Sequence, residues 1–256
     1  MSDSATRPDD YHDVLTTPSK PVIVGGQAVN LWATVYLPEE HEAHNVSRDL
    51  DVLGDATSLN ELSTLPDWKF TRTPLWAFGD IRHATMAKRA PDGRRLHVEI
   101  LHSVKGLDKA DLASPVLVHV GEAAYRVLSP VVMLKAKACN IMGIPQDGPV
   151  PRQDRRHFHL LAEIVPRYLE DIHERARIDA QVWQPVENAL RLLFKTMQDR
   201  KIAGVFKKEG VTPEMLVPGS FHQSPSEIIR KTLAYQMPLA RACISTAVFK
   251  QEPTHK

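Results

Sequence analysis

One stretch constrains this chain more than any other: PVIVGGQAVNLW, from Pro21 to Trp32. Three apolar residues, all of them β-branched, lie between a proline and a glycine pair, which predicts a short buried strand over 21–24. Ala28, Leu31, Trp32 and Val35 then recur at helical spacing, which predicts a helix over 27–37. Gly25 and Gly26 stand at the junction. Glycine there lets a group come close to the backbone, and the first N–H groups of a helix favour an anion. Taken alone the junction also reads as an ordinary Gly-Gly turn.

Downstream, RDLDVL (48–53) alternates, with Leu50 and Val52 on one face and Asp49 and Asp51 on the other. Aspartate is depleted in strands. Two on one face repel each other unless a cation lies between them, and a solvated strand face is the alternative. Arg48, beside Asp49, would offset part of that charge. Strands with an APDG turn at 90–93 are predicted across 73–104, the last of them carrying Glu99 between Val98 and Ile100. A carboxylate on a neighbouring strand would add the third hard oxygen donor of a two-metal site.

Short strands are predicted at 115–120 and 125–129, then a helix opening at Ser129-Pro130. Beyond Gln153 the pattern is helical over 153–172, 179–200, 212–216 and 224–248, with breaks near Gly204, Gly210 and Pro218-Gly219. The chain of 256 residues is long enough for one large or two small cores. The expected organisation is a flexible or weakly helical lead (1–19), an α/β domain (20–128) and a helical domain (129–256). A net charge of +1 gives no global field for nucleic acid or membrane, although RQDRRHFH (152–159) is a local basic patch. No run approaches the roughly 18 apolar residues of a membrane span. Two distant cysteines, Cys139 and Cys243, and a polar N-terminal stretch point to the cytoplasm.

In this order, IVGGQAV, RDLDVL and HVEIL resemble the DNA polymerase β-like nucleotidyltransferase superfamily. Its pattern is a Gly-[Gly/Ser] helix opening, an hDh[DE]h strand and a later acidic strand. VLSPVVMLKAKA resembles the Ser-Pro helix of the AbiEii-type toxins and their uncharacterised bacterial relatives. The likeness spans roughly residues 20–170. Gln27 stands where these families often place Ser or Thr, and Glu99 where Asp is commoner. Asp154 matches the first acid of a later helical pair, and His157 stands where the second would be.

The resemblance implies an α+β fold, a mixed sheet with flanking helices followed by a helical region. It implies transfer of NMP from an NTP to a hydroxyl of RNA, protein or a small molecule. Asp49, Asp51 and Glu99 would be the catalytic acids and would hold Mg²⁺ (or Mn²⁺). Gly25, Gly26, Gln27 and Lys135 would bind the NTP phosphates. Membership of the toxin branch implies an antitoxin protein as partner and no membrane. The alternative is an inactive module of the same fold for nucleotide sensing or protein interaction.

Overall fold

The computed structural model describes residues 6–40, 47, 49–74, 80–113, 115–146, 152–179 and 183–250. Arg48 and residues 147–151 lie outside them. The chain divides into two compact units, 1–129 and 130–256.

The first unit is built on a mixed sheet of seven strands: β1 (Val22–Val24), β2 (Leu50–Leu53), β3 (Lys69–Arg72), β4 (Arg82–Arg89), β5 (Arg95–Leu101), β6 (Val116–Val120) and β7 (Ala123–Val127). Their spatial order is β3-β4-β5-β2-β1-β7-β6. β5 runs parallel to β2, and β1 parallel to β7, while the other neighbours are antiparallel. Its helices are α1 (His12–Leu15), α2 (Gly25–Tyr36), α3 (Ala56–Ser63) and α4 (Lys109–Leu112).

Alternation gives the central strands two different faces. Leu50, Val52, Leu96, Val98, Ile100, Ala84 and Met86 are all buried and form the apolar face. Helix α2 packs on β1 and β2 through Ala28, Val29, Leu31 and Trp32. The Trp32 indole donates to the Leu128 carbonyl at 2.8 Å, fixing α2 to the end of β7. The other face of β2 and β5 carries Asp51, His97 and Glu99. The β4–β5 hairpin turns at 90–93, where Gly93 adopts φ +86° and donates its N–H to the Ala90 carbonyl.

The lead, expected to be flexible or weakly helical, forms short helical turns at Pro8–Tyr11 and His12–Leu15 that pack in this unit. Tyr11, Val14 and Leu15 are buried, and the Tyr11 ring stacks on Trp68 with centroids 6.3 Å apart. Asp10 accepts two bonds from Arg94, and Asp13 accepts from Trp68 and Lys88. Each acid answers a cation or indole of the sheet region, so the segment is anchored along its length. β3 also went unforeseen: KFTR is charged and mostly exposed, an edge strand without a buried apolar face.

The second unit is helical: α5 (Pro130–Gly143), α6 (Asp154–Ile178), α7 (Trp183–Gln198), α8 (Arg200–Lys208), α9 (Pro213–Leu216) and α10 (Glu227–Thr246). The break expected near Gly204 is absent, since α8 runs through it. A Cβ at Gly204 would come within 2.8 Å of the Phe249 Cα, so the glycine admits the chain that follows α10. Gly210, at φ +71°, does end a helix. Among the described residues no helix is long and apolar enough to cross a membrane.

Candidate active site

Parallel pairing of β2 with β5 sets Asp51 directly beside Glu99, so both carboxylates leave the same face of the sheet. Antiparallel pairing of β1 with β2 sets Asp51 opposite Val24, the residue before the glycines. Gly25 holds φ +67°, and a Cβ built on it would lie 1.9 Å from Asp51 Oδ2. This is a close approach that only glycine permits, at a backbone angle that glycine favours. Val24, the N-cap of α2, offers no side-chain acceptor to the first N–H groups, and Gly25 and Gly26 are half-buried. Asp51, Glu99 and the start of α2 therefore converge.

Asp49 lies one residue before β2 and is the outlying member. Its carboxylate sits 3.6 Å from His97 Nδ1 and is 57 % exposed. His97 is two residues from Glu99 on β5, so Asp49 reaches the same face at its edge. Glu99 accepts a hydrogen bond from Arg82 Nη1 at 3.2 Å. Arg82 is shared, because its Nε and Nη2 also donate to Asp80 at 2.9 and 2.8 Å. Those bonds hold the Asp80 carboxyl down at about 2.

The hard oxygen donors of Asp51 and Glu99 suit Mg²⁺ or Mn²⁺, and the missing Cβ of Gly25 lets the Asp51 carboxylate lie against the start of α2. The three acids are not drawn tightly together. Among the described residues the one group whose three ligand atoms all lie within 4.8 Å of one another is Glu170, His173 and Glu174. Asp49 instead lies toward His97, and Glu99 toward the Arg82 guanidinium.

Two expected phosphate ligands behave differently. Gln27 does not present its side chain to a ligand: it is fully buried, and its Nε2 donates to the Thr6 carbonyl and hydroxyl, both at 2.9 Å. Its Oε1 accepts no hydrogen bond. The physical reason is its position on the inward side of α2, where it ties down the N-terminal segment. Lys135 is half-buried on α5, in the second unit.

The later acid of the sequence pattern belongs to a buried cluster of the second unit. Asp154, at the start of α6, accepts from Lys137 Nζ at 2.8 Å, Arg152 Nε at 2.7 Å and Asn140 Nδ2 at 3.2 Å. Burial opposes its charge, but Lys137 and Arg152 more than offset this and keep the carboxyl well below the usual range. His157, one turn on, is buried with neither ring nitrogen bonded, and burial lowers its pKa to about 3. The basic patch is largely spent on acids: Arg152 holds Asp154, and His159 lies 3.0 Å from Glu209.

Sequence reasoning missed Arg82, Tyr11 and Thr6. Tyr11 is buried beside the acidic face, and desolvation raises its hydroxyl to about 12, with the nearby Asp49 charge adding to the rise. The hairpin turn could have predicted Thr85 as the partner of Glu99. It could not have predicted the irregularity between Arg82 and Ala84 that pairs Arg82 with Leu101.

No protein-family model matches the chain. No curated protein matches it. Among solved structures, the chain is similar to the crystal structure of an antigenic nucleotidyltransferase-like protein from Paracoccidioides brasiliensis. The identity is 16%, the TM-score 0.42, and the match covers 72% of this chain and 94% of that one.

Proposed function

We propose that this chain is a divalent-metal-dependent nucleotidyltransferase that moves NMP from an NTP to a hydroxyl acceptor. The single observation that carries the reading is the side-by-side pairing of Asp51 with Glu99, against a glycine whose Cβ would collide with Asp51. An acidic pair facing the N-terminus of a helix offers hard oxygens for a cation and N–H groups for a phosphate. Asp51 and Glu99 hold the cation, and Asp49 joins them from the edge of the face. Bound there, Mg²⁺ or Mn²⁺ would neutralise triphosphate charge and lower the pKa of the acceptor hydroxyl. Gly25 and Gly26 leave room for the phosphates and orient them along the axis of α2. The work of these residues is positioning and electrostatic neutralisation.

The acceptor class is RNA, protein or a small molecule. A toxin–antitoxin role, with an antitoxin partner, rests on the likeness of the Ser129-Pro130 helix to the AbiEii-type toxins. One observation favours the second reading, an inactive module that binds nucleotide: Glu99 is ion-paired to Arg82.

The test is to incubate the chain with each labelled NTP, Mg²⁺ or Mn²⁺, an RNA pool and a cell lysate. Transfer that needs metal and disappears in Asp51→Ala and Glu99→Ala supports the enzyme. Nucleotide binding without transfer, kept in Glu99→Ala, overturns it in favour of the module.

A further inference from the structure

Away from the sheet, helix α6 carries a second cluster of donors. Glu170, His173 and Glu174 fall at positions i, i+3 and i+4, the spacing that brings three side chains to one helical face. One ligand atom from each lies within 4.8 Å of the others. The cluster is more than a run of acids, because His173 is only 2% exposed and its Nδ1 is buried with no hydrogen-bond partner. An orphaned buried ring nitrogen costs free energy unless something binds it.

The surroundings orient the ring in the way a metal ligand requires. His173 Nε2 sits 2.9 Å from Ser224 Oγ. An Nε2–H donated there leaves the lone pair on Nδ1, the nitrogen without a partner. Phe221 and Trp183 flank the ring, at centroid distances of 4.5 and 5.4 Å, and restrict its rotation. Ser220, in the same turn as Phe221, donates to Glu170 Oε2 at 2.8 Å. One short turn therefore holds two of the three donors from behind, as outer hydrogen bonds do around metal ligands.

We propose that Glu170, His173 and Glu174 form a Zn²⁺ site that clips α6 to the turn at 219–224. One imidazole and two carboxylates suit a borderline cation rather than Mg²⁺, and the fourth position goes to water. Bonds of about 2.0–2.1 Å place tetrahedral ligands closer together than 4.8 Å, so the glutamates swing inward on binding. Glu174 is able to do so, since its side chain is half exposed and paired with Arg177 on the same helix, an i, i+3 surface pair of small worth.

The test uses the full chain in metal-free buffer, with Mg²⁺ in millimolar excess to fill oxygen-only sites. Zn²⁺ is titrated calorimetrically, and Co²⁺ is titrated in parallel with tryptophan fluorescence as the readout. The expected result is one equivalent of Zn²⁺ and Co²⁺ quenching that Trp183→Phe removes. Glu170→Gln and Glu174→Gln should each weaken binding more than about tenfold while leaving the far-ultraviolet spectrum unchanged. These variants carry the test because His173→Ala opens a buried site and risks misfolding. No stoichiometric Zn²⁺, or binding equally tight in both glutamine variants, overturns the proposal.

Discussion

Two groups of carboxylates in this protein are treated in opposite ways. Asp154 is almost fully buried and receives three donors, two of them cations, within 3.2 Å. Asp51 and Glu99 stand side by side on an accessible sheet face, and Arg82 divides its guanidinium between Glu99 and Asp80. A carboxylate surrounded by donors is a structural part, since burial demands compensation. A face on which two half-exposed acids stand side by side keeps affinity for a further positive charge. The contrast separates scaffold from candidate site without reference to any relative, and it breaks in ways that can be measured.

The largest effect is expected at the buried cluster. Lys137→Met removes one of the two cations, leaving Asp154 buried with only Arg152 to balance it, and should cost about 3 kcal/mol in urea unfolding. Adding Asp154→Leu should recover much of that loss, because the under-compensated buried charge is then gone. A single-variant cost below about 1 kcal/mol would mean that Asp154 is as well solvated as the sheet acids, and the contrast would fail.

Next is the pH response of His157. Its folded pKa of about 3 lies below the ordinary value of 6.5, so the unfolded chain binds more protons between those limits. The stabilisation is full above about 6.5 and is lost as pH falls toward 3. The slope should be up to about 1.4 kcal/mol per pH unit. Urea midpoints measured between pH 7 and 5 should fall steeply in the parent and less steeply in His157→Gln. Lys137 and Arg156 add to the depression of this pKa and Asp154 opposes it, so the Lys137→Met background should weaken the slope.

Gly25→Ala tests the other side. It should cost about 1–3 kcal/mol, part from the left-handed backbone and part from the collision with Asp51. Removing the side chain in Asp51→Gly should return the collision part alone, whereas Asp51→Ala keeps a Cβ 2.9 Å away and returns less. Additive losses in the double variant would mean that the two residues do not meet.

How far the chain disclosed this arrangement depends on the range of each interaction. The hairpin of β4 and β5 is local, and its turn at 90–93 is readable from Pro91 and Gly93. The sidedness of Asp51 and of Glu99 follows from alternation with Leu50, Val52, Val98 and Ile100. That β2 and β5 are neighbours is a long-range pairing, and no local pattern encodes it. Asp49 falls outside the strand that the alternation extended to it. Gln27 looked available because helical spacing reveals the apolar residues, not which polar one turns inward to Thr6. Gly204 read as a break because its reason, the close passage of Phe249, lies 45 residues away in the chain.

The smallest effect is the most informative about the acids. Arg82 is 41% exposed at its side chain, so its pairs with Asp80 and Glu99 are screened and worth under about 1 kcal/mol of stability. Arg82→Met should leave the unfolding midpoint nearly unchanged. The same substitution frees Glu99 from its cation. If Asp51 and Glu99 hold a divalent ion, Arg82 competes with that ion, and its removal should tighten Mn²⁺ binding by about fivefold, a change of about 1 kcal/mol. If Glu99 serves only to pair with Arg82, the affinity for Mn²⁺ stays where it was. Stability unchanged with tighter metal binding would make Arg82 a counter-ion to the face. Stability lost with no change in metal binding would move Glu99 into the same class as Asp154.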